Sequence, residues 1–142
     1  MKQISQVVLI ITRKLFPFML LYGCYLISHG HLSPGGGFQG GVIFGSAIIL
    51  LGLVEGVALT EKRFRENLLS FIKNLGMVTF IVIGFGGILA GSYFLSDWLP
   101  KGAVGTVPSA GQMLLLNLTI GFMVGTGIAV VFYRMINYGS KE

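Results

Sequence analysis

The chain has 142 residues, of which 54% are apolar and only 11% charged, against roughly 25% charged in an ordinary soluble domain. That composition leaves too little polar surface to cover a water-soluble globule. The net charge is +5, and a single cysteine, Cys24, excludes an internal disulfide.

Crossing a bilayer takes about 20 mostly apolar residues. Four windows answer to that need, at residues 15–32, 38–59, 74–95 and 113–136. They predict an all-α integral membrane protein with four transmembrane helices, forming one membrane domain over residues 1–142. The first window is interrupted upstream by Arg13 and Lys14. Either its helix begins near Val7 and these side chains snorkel to the interface, or the residues before Lys14 form an interfacial turn. Snorkelling costs less. Pro17 is compatible with a position near a helix start.

Between the first two windows runs His29-Gly-His-Leu-Ser-Pro-Gly-Gly-Gly-Phe-Gln-Gly-Gly41, polar and without a full charge at neutral pH. Pro34 disfavours helix at Ser33, while Gly35, Gly36 and Gly37 accept backbone conformations other residues resist. Ser33 could cap a helix starting at Pro34. A start near Phe38 would instead leave glycine N–H groups free for an anion or a partner's carboxylate. Gln39 is a candidate hydrogen-bond donor across an interface. The run is a poor nucleotide loop, because no Walker lysine follows and no strand precedes it. His29 and His31 are candidate proton-pathway groups that titrate near neutral pH, or they bond exposed backbone. With no third ligand beside them, no metal is predicted.

Small residues recur at helical spacing in the later windows. Gly41, Gly45, Gly52 and Gly56 share an arc of roughly 60° on the second. Gly84, Gly87 and Gly91 repeat on the third, and Asn117, Gly121 and Gly125 on the fourth. Such faces let helices approach closely in lipid, within this chain or against other proteins. Glu55 is the one carboxylate well inside a window. At about 2.5–3.5 kcal/mol for a charge at a span centre it needs a partner or a proton. It is therefore a candidate ion-pathway group, or a near-interface acid paired with Arg13, Lys14 or Lys62.

Charge orients the chain. An even number of spans puts Lys2, Arg13, Lys14, Lys62, Arg63, Arg65, Lys73, Arg134 and Lys141 on one side and only Lys101, beside Asp97, on the other. Both termini are then expected in the cytoplasm, with residues 29–37 and 96–112 outside. The basic residues read as topology signals rather than nucleic-acid contacts. No constellation for nucleophilic catalysis, no thiol pair and no haem or iron–sulfur spacing is present, so neither an enzyme nor a cofactor is predicted.

The segments Leu15-Phe-Pro-Phe-Met-Leu-Leu-Tyr-Gly23 and His29 to Ile43, the latter containing Gly30, Phe38, Gln39, Gly40 and Gly41, resemble the B subunit of the Mrp (also called Mnh) multisubunit cation/proton antiporters. The similarity of pattern extends over almost the whole chain. The resemblance implies a multi-pass subunit of a bacterial inner-membrane complex that exchanges Na⁺ for H⁺ in pH homeostasis, with subunits A, C, D, E, F and G as partners. In that family the large A and D subunits are the proposed proton-translocating units. The resemblance transfers no sodium ligand to this chain. Related domains occur in membrane-bound hydrogenase-type complexes, which stand as an alternative beside a stand-alone four-helix transporter.

Overall fold

The computed structural model describes residues 5–32, 35–102 and 111–139. Among these residues five helices follow one another: α1 (Gln6–His29), α2 (Gly37–Glu55), α3 (Val57–Arg63), α4 (Glu66–Leu89) and α5 (Gln112–Gly139). All but α3 are long and apolar enough to cross a membrane. The fold class is therefore the expected all-α, four-span arrangement.

The helices are longer or differently placed than their apolar windows, each for a local reason. α1 starts at Gln6, so Arg13 and Lys14 ride on the helix. Pro17 consequently falls inside α1, where its ring removes the amide that would bond the Arg13 carbonyl. The second window does not run through to residue 59. Gly56 adopts φ +96°, a backbone state open to glycine and resisted by L-side chains. It breaks the chain into α2 and the short α3. α4 begins at Glu66, whose carboxylate suits the positive helix start. The basic stretch expected before a span at 74 is thus helical, and Lys73 lies two turns inside α4. The helix stops at Leu89, not near 95, because Gly91 takes φ +81° and turns the chain back.

α2 and α5 form the centre, with α1 against α2 and α4 against α5. Their contact is made by missing side chains. A methyl group on Gly41 would stand 2.6 Å from the Gly121 carbonyl oxygen, and one on Gly45 would stand 2.9 Å from that of Gly125. One on Gly37 would overlap the Asn117 backbone. The faces predicted from spacing, Gly41/Gly45 and Asn117/Gly121/Gly125, thus meet each other within one chain. Further along, Gly52 receives the Phe132 ring. At Gly56, expected on the same face, a methyl group would meet no neighbour within 4 Å, and the residue serves the break instead of the packing. On the far side of α2, Gly40 lies against Gly23 and Ile27 of α1. Below the seam a small core of Ile48, Leu69, Ala129, Val130 and Tyr133 forms, flanked by Phe44, Val57, Phe64 and Phe132.

The glycines of α4 act differently from expectation. Gly84 and Gly87 do not receive a second helix. Gly84 takes the Phe94 ring, while Tyr93 and Ser96 close on Gly87 and Trp98 on Gly86. The segment after Gly91 folds back over α4, held by Leu95 N–H to Gly84 O (3.1 Å) and Trp98 Nε1 to Ile83 O (3.4 Å). Gly91 itself meets no side chain and serves the turn.

Because backbone meets backbone at the seam, added bulk there has nowhere to go. Gly121→Leu is expected to lower stability by about 3 kcal/mol or more, read as a fall in thermal midpoint in detergent. Gly139→Ala, where a methyl would meet open space, should leave the midpoint within experimental scatter.

Candidate functional site

The glycine-rich junction is a packing device before it is anything else. α1 ends at His29 and turns through Gly30, where a side chain would strike the Gly36 Cα at 2.5 Å and the Asn117 side chain at 2.9 Å. α2 starts at Gly37, between the two starts considered from sequence, behind an extended Gly36 that offers no side-chain cap. Ser33 and Pro34 lie outside the described residues. The first helical amide does not await an anion: Gly37 N–H donates to Asn117 Oδ1 at 3.5 Å. Gly35 lies against Leu26. The junction, α1 and α5 are therefore joined at one end of the bundle through glycines and one asparagine. Phe38 and Gln39 point outward and are exposed.

The two histidines sit at this same end. His29 stacks on Tyr25 with ring centroids 4.4 Å apart. Its Nδ1 stands 3.2 Å from the Tyr25 carbonyl oxygen. Because that oxygen only accepts, Nδ1 carries the hydrogen. His31 is half-buried in the turn. Among the described residues no group of three or more metal-ligating side chains forms.

Glu55 sits at the opposite end of α2, about 27 Å of helix away. Its side chain is 1% exposed. Arg13 Nε of α1 donates to its Oε1 at 2.5 Å, and Arg63 of α3 stands 3.4 Å from Oε2. Arg13 is a partner expected from sequence; Arg63 replaces the expected Lys62. The break at Gly56 explains this, since it re-aims α3 so that Arg63 returns toward the end of α2. Beside this triad Arg134 of α5 donates to Glu66 of α4 at 3.0 Å. Two carboxylates thus tie α1, α2 and α3 together and α4 to α5. At the junction end, Asp97 pairs with Lys101 at 3.4 Å and accepts from the Gln112 amide at 3.4 Å.

The ion-pathway candidates from sequence therefore fall into two separate places, His29 and His31 at one end and Glu55 at the other. Between them α2 turns Gly41, Gly45, Ile48, Leu51 and Gly52 inward, all buried. The buried hydroxyl nearest the middle, Thr126, donates back to its own helix at Phe122 O, 2.6 Å away. Among the described residues no chain of polar side chains links the two ends through the bundle. Sequence reading missed Arg63, Gly23 and the helix-breaking role of Gly56. Only Gly56 gave a signal, as a glycine directly after the sole deep carboxylate.

Comparison with known proteins agrees with this architecture. A family described as a domain related to the MnhB subunit of Na⁺/H⁺ antiporter matches residues 7–130. The B subunit of an Na⁺/H⁺ antiporter from Bacillus subtilis is 32% identical over 123 residues, covering 86% of this chain and 82% of its own. An uncharacterised protein of Methanocaldococcus jannaschii is 27% identical over 82% of this chain, which spans only 47% of that longer protein. Among solved structures, a chain of the membrane-bound sulfane sulfur reductase, an archaeal respiratory membrane complex, superposes with a TM-score of 0.78 at 32% identity. It covers 94% of this chain, which spans 59% of it.

The Glu55 triad yields a graded expectation. Glu55→Gln should cost about 2 kcal/mol, since hydrogen bonds to charged groups are worth about 1.5–3 kcal/mol. Arg13→Gln should cost more than Arg63→Gln, following the shorter contact. Thermal midpoints of the three variants in one detergent check the order. The chain belongs to the family of membrane domains related to the MnhB subunit of Na⁺/H⁺ antiporters.

Proposed function

We propose that this chain is a small, non-catalytic membrane subunit of a multisubunit monovalent cation/proton antiporter, acting through assembly with larger ion-translocating subunits. The observation that carries the reading is the pairing of family membership with a sealed interior. Among the described residues, backbone and apolar side chains fill most of the seam between α2 and α5, and the ion pairs stand at the two ends. Ion movement would then run beside this chain, at surfaces it shares with partners, and not through it. Glu55 serves here as a tether held by Arg13 and Arg63, while His29 and His31 stand at the opposite mouth. The cation is Na⁺, by the relatives' names. The partners are the remaining antiporter subunits, A and C to G in the related systems, set in a bacterial inner membrane.

The expected topology has support from the ion-pair layout. Arg13, Arg63 and Arg134 cluster at one end with Glu55 and Glu66, and Lys101 stands at the other with Asp97. By the positive-inside rule the cluster faces the cytoplasm, together with both termini.

A second reading, a subunit of a respiratory membrane complex, is favoured by the likeness to the sulfane sulfur reductase chain. Recovery of the tagged chain in mild detergent separates the two. Antiporter-like subunits without redox-cofactor proteins support the first reading; co-recovered iron–sulfur proteins support the second. A clean homodimer contradicts both. Within the recovered complex, Glu55→Gln is expected to reduce yield while leaving antiport per assembled complex close to that of the wild type. Abolished antiport at normal yield would place Glu55 on the ion path instead.

A further inference from the structure

Among the described residues Asp97 is the only acid outside the Glu55–Glu66 stretch, and the chain gathers further oxygens beside it. A methyl group placed on Gly111 would stand 3.1 Å from Asp97 Oδ1, 3.1 Å from the Leu99 carbonyl oxygen and 3.6 Å from that of Pro100. Three acceptors thus surround one small space, which Gly111, at φ +51°, leaves without a side chain. One donor reaches this group: the Gln112 amide bonds Asp97 Oδ1 at 3.4 Å. Among the described residues neither carbonyl receives a hydrogen bond. Oxygens gathered in this way repel one another unless positive charge stands among them.

Gln112 adds a second, independent observation. Its backbone is tied to Asp97, the residue is 2% exposed, and neither Oε1 nor Nε2 of its side chain has a partner. A buried amide left in that state calls for a bound water or ion. The donor set decides between the two. A single water brings two hydrogens, whereas Asp97 Oδ1, the two carbonyls and Gln112 Oε1 are four acceptors. A carboxylate, two carbonyls and an amide oxygen are hard ligands, suited to an alkali or alkaline-earth ion and not to a transition metal. One carboxylate balances one positive charge, so the ion is monovalent. The Lys101 ammonium takes the other carboxylate oxygen, Oδ2, at 3.4 Å, and its side chain is largely exposed. Oδ1 is left to the cluster.

We propose that Asp97 Oδ1, the carbonyls of Leu99 and Pro100 and the Gln112 side-chain oxygen bind one hard monovalent cation, of sodium's class, at the junction end of the bundle. A site on the surface of the chain is separate from a path through it. The proposal therefore stands whether or not the chain works inside an antiporter.

Trp98, the only tryptophan of the chain, adjoins Asp97 and donates through its indole to the Ile83 carbonyl at 3.4 Å. It reports on this turn directly. Sodium chloride is titrated into the purified chain in detergent, with choline chloride holding the ionic strength constant. Wild type should show a saturable change in Trp98 fluorescence. Asp97→Asn keeps the shape and loses the charge, and should raise the sodium midpoint at least about tenfold. Gln112→Leu should raise it as well. Lys101→Gln should lower it, because a rival cation is gone; this variant keeps the test decisive if Asp97→Asn fails to fold. Absence of a sodium-specific change in wild type, or an unmoved midpoint in either charge variant, overturns the proposal and leaves the space to water. Both results leave the subunit reading intact, since that reading is tested by recovery of partners.

Discussion

The direct approach of two helix backbones, α2 and α5, governs the rest of this molecule. In lipid no hydrophobic driving force pulls helices together, because the surrounding tails are as apolar as leucine. What remains is close contact, and close contact needs small residues or bare backbone at the crossing. Gly37, Gly41 and Gly45 on one helix and Asn117, Gly121 and Gly125 on the other supply it. The same contact fixes where α1 can sit, since Ile27 of α1 reaches Gly121 across the top of the seam. It also fixes the junction between α1 and α2, since Gly30 and Gly37 turn against Asn117. A motif that suggests an anion cradle in isolation is here the first turn of a helix pressed onto its neighbour.

From that central contact follows the segregation of charge. A seam filled by backbone has no room for ionisable groups, so they collect where the helices emerge. Glu55 and Glu66 are each neutralised across a helix boundary, which makes the ion pairs register marks for the packing. The two arginines on Glu55 are more than half exposed, so they keep part of their hydration while the carboxylate gives up its own. Large apolar side chains on the outer faces of α1 and α4, such as Phe18, Leu21, Phe71 and Val82, remain exposed. These suit lipid or neighbouring subunits.

Much of this was legible from residue order. The four spans, the small-residue faces at 41/45 and 117/121/125, and Arg13 as a counterion to Glu55 follow from composition and helical periodicity. Helix ends did not follow, and the reason is physical. A hydropathy window stops at the first charges, whereas a helix stops where its backbone can no longer continue. Arg13, Lys14 and Lys73 are charged and helical; Gly56 and Gly91 carry no charge to end a window, yet they break the chain through positive φ. Gly84 and Gly87 had the spacing of a helix-packing face, but spacing cannot say whether a helix or a returning loop will fill it. The position of Lys73 inside α4 was invisible for the same reason.

A bundle sealed by its own backbone should hold no ion path and should gain function only in company. Sodium-driven proton flux in liposomes containing the purified chain alone measures this directly. The expected rate is no higher than that of empty vesicles, under either direction of the sodium gradient. Flux that rises with the amount of chain and saturates with sodium would contradict it.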